Sequence, residues 1–178
     1  MLTNISTNCF AISSDNSNLD NFNNINETLK LSTREINRNS VEIVKIGEAE
    51  KHLKYYREDR GYATYVVCSI VGFYENNIFH PAYCMNKNMP GAENGSYEVN
   101  IKETLNNPKV WRIVSNGYPY KSAEQMGLEN DYDAFAVTKF AIYCILGESK
   151  LEYYSADELD IRRTKNVRVF KAISKYRK

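Results

Sequence analysis

The sequence predicts a mixed α+β domain, in which a strand-rich half packs against a helix-rich half. Between about residues 41 and 100, runs rich in Val, Ile and Tyr are bounded by Asn, Gly and Pro, and such runs are typical of strands. After about residue 100, apolar residues recur at helical spacing behind residues that favour helix starts. The 178 residues are enough for one domain, or two small packed subdomains, with a substantial core.

The first 40 residues are predicted to be a disordered or loosely ordered leader, followed by one domain over residues 41–178. Apolar residues are scattered through the leader without a period, and asparagine crowds one span, at Asn16, Asn18, Asn21, Asn23, Asn24 and Asn26. Such a polar composition buries too little apolar surface to order the chain. No charged segment precedes an apolar run, so we predict no intact signal peptide, and no sorting signal is visible.

The strand-rich half begins with residues 41–46, where apolar and charged residues alternate as in an amphipathic strand. Residues 48–60 are mostly charged and are predicted to form a short helix or a loop. Residues 62–74 are rich in β-branched and aromatic residues, which is a strong strand signal.

A hairpin is predicted where the strand over 62–74 meets the turn residues Glu75, Asn76 and Asn77. The return strand covers residues 78–85. It contains Pro81, which lacks a backbone N–H and therefore favours a sheet edge or a bulge. A further short strand is expected over residues 96–101.

Three helical segments are predicted beside the central helix described next. Residues 107–114 carry a proline at a tolerated first position and an apolar face. Residues 122–127 are predicted to form a short capped helical turn. A final helix is predicted from Ser155 to Lys178, with an apolar face and a basic face that we interpret as solvated.

The central helix is predicted over residues 133–146 and is apolar nearly all round, which indicates that it is buried. Asp131 or Asp133 is expected to cap it. Thr138 and Lys139 are the polar side chains inside it, and we expect this pair to face the segment that contains Cys84.

Composition excludes several classes of function. The net charge of +1 gives no electrostatic footprint for nucleic acid, and no segment is long and apolar enough to insert into a membrane. The cysteines have no metal-binding spacing, so neither a metal site nor a disulfide scaffold is expected; they are Cys9, Cys68, Cys84 and Cys144. Cys68 and Cys144 are predicted to be buried thiols. No cofactor is implied.

Cys84 closes the predicted return strand just before a loop rich in Gly and Pro. Its thiol is either a reactive group or an ordinary buried strand cysteine. His80 lies four residues earlier, which in a strand is roughly 13 Å away, too far for a hydrogen-bonded Cys–His pair without a bulge. Lys139 could lower the pKa of a nearby thiol, or extend its amino group to water.

Four segments in order resemble the thioester domain of Gram-positive cell-surface adhesins. The resemblance covers about residues 60 to 178. Its most specific features are the Ala-Tyr-Cys strand before a Pro-Gly loop, the Asn-Gly-Tyr-Pro-Tyr-Lys segment and the Thr-x-x-Ala-Ile helix. The segments are 61–67, 81–91, 110–121 and 134–143.

The resemblance implies that Cys84 is the cysteine of an internal thioester and that residues 138–141 are the helix motif, which in this family carries the glutamine partner. Tyr83, Thr138 and Ala141 would support that motif. In this family, a host amine attacks the thioester and the adhesin becomes covalently attached. The resemblance also implies an extracellular, wall-attached protein, of which this chain is one part, with a host or surface protein as its ligand.

This sequence departs from the family pattern at the glutamine position, which is Lys139. An amine has no acyl carbon, so the familiar thioester cannot form between Cys84 and Lys139. The one glutamine of the chain is Gln125, and it would need a different geometry to act as the acyl donor. A thiolate–ammonium pair or an oxidised sulfur–nitrogen link between Cys84 and Lys139 are further hypotheses.

Three classes of function remain open. The first is an adhesin domain that lacks the thioester and binds noncovalently. The second is an acyl-transfer enzyme using Cys84, which needs a general base that the sequence does not reveal. The third is a structural spacer of a surface protein. We expect no turnover enzyme, because even the intact family chemistry is used once.

Overall fold

The computed structural model describes residues 9–11, 40–98, 107–156 and 163–176. Within these ranges, six strands form one antiparallel sheet in the order β1-β4-β3-β2-β5, with β6 also on β2. The strands are β1 Cys9–Ala11, β2 Ser40–Arg57, β3 Tyr62–Glu75, β4 Ile78–Cys84, β5 Gly95–Glu98 and β6 Tyr154–Ser155. The helices are α1 Pro108–Ser115, α2 Asp131–Ile145 and α3 Arg163–Lys175, with one 3₁₀ turn at Leu151–Tyr153.

The helix α2 forms the centre of the fold, because α1, α3 and strand β3 all pack against it. Its residues are buried around its whole circumference, as expected for a helix that is apolar on every face. The predicted α+β class, with a strand-rich half against a helical half, is therefore confirmed. Among the described residues, no helix is long and apolar enough to cross a membrane.

Strand β2 confirms the predicted strand over 41–46 but continues to Arg57, so the prediction of a helix or loop over 48–60 is wrong. The pairing of β2 with β3 shifts register after Ile46 and again before Leu53. Each shift places extra residues in β2 and breaks the alternation of inward and outward residues, as a bulge does, which hides the strand pattern in the sequence. The fully buried Leu53 then belongs to the core.

The predicted hairpin is present, with Asn76 and Asn77 at φ values of +49° and +63° in its turn. Asparagine tolerates this left-handed conformation, which a two-residue hairpin turn requires. Pro81 pairs with Gly72 of β3. In the described residues β4 lies between β3 and β1, and β1 pairs with residues 82–84, so the predicted edge position or bulge at Pro81 stays a prediction.

The helix starts differ in part from the predictions. The short helix α1 begins as predicted, with the Asn107 side chain accepting hydrogen bonds from the N–H groups of Lys109 and Val110. The cap of α2 is Asn130, not Asp131 or Asp133, and its Oδ1 accepts from the N–H of Asp133 at 3.0 Å.

The prediction that the final helix begins at Ser155 is wrong, because Ser155 is paired with Lys54 in the short strand β6. The described part of α3 spans Arg163–Lys175, and residues 157–162 lie outside the described residues. The predicted leader also lies largely outside them. Its residues 9–11 form β1 against β4, and the boundary near residue 40 stays a prediction.

Candidate functional site

Cys84 lies at the end of β4 and is buried, with 8% of its surface exposed. Its Sγ donates to the backbone carbonyl of Asn86 at 3.1 Å. The side chain of Tyr143 in α2 lies beside it, close enough for the thiol to affect the pKa of the tyrosine hydroxyl. The end of β4 is therefore held against one face of α2.

Tyr143 links the thiol to the helix motif. Burial raises the pKa of Tyr143 well above its ordinary value, and the neighbouring Cys84 thiol raises it further. Residues four apart in a helix lie on one face, with Cβ atoms about 5–6 Å apart. Lys139 is thus one turn before the residue that contacts Cys84, on the same side of α2.

Lys139 is half-buried, and its positive charge acts on Cys68 in β3. Burial raises the pKa of the Cys68 thiol, and the Lys139 charge partly opposes this rise. Among the described residues, no hydrogen bond joins Lys139 to Cys84. The sequence predicted that Cys68 is buried, which is confirmed, but it gave no sign that Cys68 lies near Lys139, since the two are far apart along the chain.

Thr138 holds the loop after α1 in place. Its hydroxyl donates to the carbonyl of Ala134 at 2.9 Å and accepts from the N–H of Tyr118 at 3.0 Å. The Tyr83 hydroxyl donates to the carbonyl of Tyr118 at 2.6 Å. A Cβ on Gly117 would lie 2.5 Å from Thr138 Oγ1, so only glycine permits this approach. Thr138 and Tyr83 therefore bind the backbone N–H and the carbonyl of Tyr118, respectively.

Tyr83 and Ala141 are also buried around α2. The Tyr83 ring stacks on Phe135 with centroids 4.7 Å apart, and burial raises the pKa of the Tyr83 hydroxyl. Ala141 is 2% exposed and lines a cavity of about 360 Å³ together with Cys144 and Ile173. The positions predicted to support the motif thus pack α2 against its neighbours.

The described contacts of Gln125 are with Ser122 and do not include the Cys84 thiol. Its Oε1 accepts from the N–H of Ser122 at 2.9 Å, and the Ser122 hydroxyl accepts from the N–H of Gln125 at 3.2 Å. This is the reciprocal pattern of a capping box. Gln125 also lines a cavity of about 550 Å³, which we call the basic cavity after the side chains around it, Lys109, Arg112, Lys121 and Lys175.

His80 is buried and stacks on Phe73 with ring centroids 5.3 Å apart. Its Nε2 lies 3.9 Å from a carboxylate oxygen of Glu75, at the turn end of the hairpin. Cys84 is at the opposite end of the same strand. This placement agrees with the separation of His80 and Cys84 that the strand spacing predicts.

One group of described residues has donors of the kind that bind metals. Glu50, His52 and Asp133 place one such atom each within 4.8 Å of one another. The Lys165 amino group pairs with Glu50 and lies 3.3 Å from Asp133, whose other neighbour is His52 Nδ1 at 3.1 Å. The lysine already supplies a positive charge to both carboxylates, so we interpret this group as a structural network between β2, α2 and α3.

Comparison with protein families finds a match over the second half of the chain. The model of the thioester domain family matches residues 81–176, which is more than half of the chain and includes Cys84 and residues 138–141. No curated protein sequence matches this chain.

Among solved structures, the fold is similar to the thioester domain of the Enterococcus faecium TIE86 protein, with a TM-score of 0.60 and 19% identity over 78% of this chain and 49% of that chain. It is also similar to the Bacillus anthracis TIE protein, with a TM-score of 0.54 and 17% identity over 76% of this chain and 24% of that chain. The chain therefore spans half or less of the length of these structures.

Proposed function

Because this chain belongs to the thioester domain family, we propose that it is an adhesion domain of a bacterial surface protein and that it holds its ligand without an internal thioester. The observation that carries this proposal is that lysine, and not glutamine, follows Thr138, at the position that the resemblance assigns to the glutamine of the helix motif. Its neighbour one turn later, Tyr143, contacts the Cys84 thiol. The side of α2 where the acyl donor would lie therefore presents an amine.

The chemistry of a thioester requires a carbonyl carbon that loses ammonia when sulfur attacks it. The Lys139 amine has no such carbon. Gln125 is the one glutamine in the chain, and its side-chain oxygen accepts a hydrogen bond from the N–H of Ser122. Neither residue supports an acyl bond to Cys84.

The absence of turnover is part of the proposal. The Cys84 thiol is buried and donates to the Asn86 carbonyl, which is the arrangement of an inert structural cysteine rather than an activated nucleophile. We propose a host or surface protein as the ligand, and an extracellular position in a longer, wall-attached protein, by analogy with the family. The proposal involves no metal or cofactor.

The test is the intact mass of the denatured, unreduced protein, with and without prior incubation in methylamine. The proposal predicts the mass of the sequence in both samples, with Cys84 alkylated once the protein is unfolded. A mass lower by one ammonia, which methylamine converts to an adduct, would overturn the proposal. Tryptic mapping of the adduct would then identify the acyl donor.

The proposed adhesion can be tested independently of the proposed absence of a thioester. Whole cells that display the chain should lose binding to host-cell protein extracts when residues 41–178 are deleted from the full-length protein. If binding is unchanged, the domain is a spacer, and the adhesion proposal fails even when the mass agrees with the sequence.

A further inference from the structure

The basic cavity differs from the rest of the surface in its charge. The chain as a whole carries a net charge of only +1. Four basic side chains nevertheless border this one cavity, Lys109, Arg112, Lys121 and Lys175, and no carboxylate lies among the described residues that line it. They come from α1, from the loop after it and from the end of α3, so the fold rather than a run in the sequence brings them together.

These four cations lack the partners that other basic residues have. Lys45, Arg57, Lys165 and Arg168 each lie within ion-pair distance of a carboxylate. Among the described residues, no such pair involves a cation of the basic cavity. Like charges that share a cavity repel each other, and a bound anion removes that repulsion.

The apolar lining and the size of the cavity indicate more than a simple ion site. The buried residues Ile113 and Ala172 belong to its lining, as do Met126 and Ile145. The volume of about 550 Å³ is that of a small-molecule site. Apolar side chains contribute affinity for a compact ligand body, while the cations around it bind charged groups.

Arg112 and the three lysines suit one class of charged group. A guanidinium donates two parallel hydrogen bonds to a tetrahedral oxyanion, and ammonium groups add compact point charges. The side chains of Asn116 and Gln125 add polar groups to the same lining. We propose that the basic cavity binds a compact molecule, such as a sugar, that carries phosphate or sulfate esters.

This site uses neither Cys84 nor Lys139 and goes beyond the proposed function. The experiment is calorimetric titration of the whole chain at low salt with glucose 6-phosphate, glucose 6-sulfate and inorganic sulfate. We expect at least one ester to bind with a millimolar or lower Kd and to bind more tightly than inorganic sulfate. The tighter of the two esters identifies the source of the oxyanion.

Two charge reversals on the same helix provide the matched comparison. Lys175→Glu changes a cation of the cavity, whereas Lys171→Glu makes the same change in net charge at an exposed position of α3 that does not line it. Loss of a charge-assisted hydrogen bond should weaken ester binding about tenfold or more for Lys175→Glu. Lys171→Glu should weaken it by less than about twofold, because solvent and salt screen distant charges.

Three results would overturn the site. One is the absence of ester binding by the wild-type chain at about 10 mM. Another is equal weakening by Lys171→Glu and Lys175→Glu, which would mean that a solvated basic face acts without a pocket. The third is inorganic sulfate binding as tightly as both esters. None of these results alters the mass predicted for Cys84, so the two proposals fail separately.

Discussion

Two regions beside α2 differ in what they leave available to a ligand. Around Cys84, Thr138 and Tyr143, side chains are buried, and their polar groups bind each other or the backbone. In the basic cavity, near the end of α2, four cations border open space without carboxylate partners among the described residues. The first region therefore stabilises the fold, whereas the second is available to bind a ligand. Changes in the first region should alter the free energy of unfolding, and changes in the second should alter ligand binding.

The largest expected effect on stability comes from the buried network of Glu50, His52, Asp133 and Lys165, which joins β2, α2 and α3. Asp133→Ala removes the partner that His52 and Lys165 share, so the buried His52 Nδ1 loses its hydrogen bond and Glu50 alone offsets the charge of Lys165. We expect a loss of about 3–5 kcal/mol in the free energy of unfolding, measured by urea denaturation. Asp131→Ala in the same first turn is exposed and is the control, with an expected loss below about 1 kcal/mol. Equal losses would show that helix-end charge, not the buried network, matters.

The next effect is a loss of stability at alkaline pH. Burial raises the pKa values of Tyr143, Tyr154 and the Cys68 thiol in the folded state. A raised folded pKa gives stability that is complete below the unfolded value and is lost as pH rises toward the folded value. Stability should therefore fall above the unfolded pKa of each group, which is about 8.5 for cysteine and about 10 for tyrosine, by at most about 1.4 kcal/mol per pH unit for each group.

Urea midpoints between pH 7 and pH 11 measure this decline. Tyr143→Phe should reduce the slope above pH 10, because the residue that ionises in the unfolded chain is gone. Tyr56→Phe, at an exposed position, should leave the slope unchanged. A pH-independent midpoint would contradict the burial of these hydroxyls and thiols.

A smaller effect is expected at the motif threonine. Thr138→Val leaves the N–H of Tyr118 without its acceptor, which should cost about 1–3 kcal/mol. Thr138→Ser keeps the hydroxyl and is expected to lose less. The comparison of their urea midpoints tests whether the hydroxyl, rather than the shape of the side chain, holds the loop.

The smallest effect on the free energy of unfolding is expected at Lys139, which follows Thr138. Lys139→Met keeps the length of a half-buried side chain and removes only a charge that makes no ion pair among the described residues. The free energy of unfolding should change by less than about 0.5 kcal/mol. A loss above about 2 kcal/mol in the free energy of unfolding would mean that Lys139 stabilises the fold through its charge, as Lys165 does. Lys139 would then be a structural residue like Thr138.

Local chemistry predicted much of the fold. The turn at Asn76 and Asn77, the start of α1 at Asn107 and the burial of α2 follow from short segments whose preferences agree with the final structure. The bulges in β2 were not predictable, because a register shift depends on the partner strand and not on β2 alone. The cap of α2 was misassigned because Asp133 is drawn into a buried pair with His52, which is distant in sequence.

The residues of the candidate site could be chosen from the sequence only through the resemblance. Cys84, Thr138 and Lys139 stand in recognisable motifs, and their assignment to one site stays a prediction. The electrostatic effect of Lys139 on Cys68 and the position of Gln125 beside the basic cavity depend on how strands and helices pack. A cavity assembled from α1, a loop and the end of α3 has no signature in any one segment.

The most direct test of the central claim is the intact mass of the Lys139→Gln variant, with Lys139→Gln/Cys84→Ala as its control. If Lys139 occupies the acyl-donor position, the single variant should lose the mass of one ammonia and gain a methylamine adduct, and the double variant should do neither. A folded single variant that keeps its full mass and remains inert to methylamine would contradict the assignment of Lys139 and Cys84 to one site.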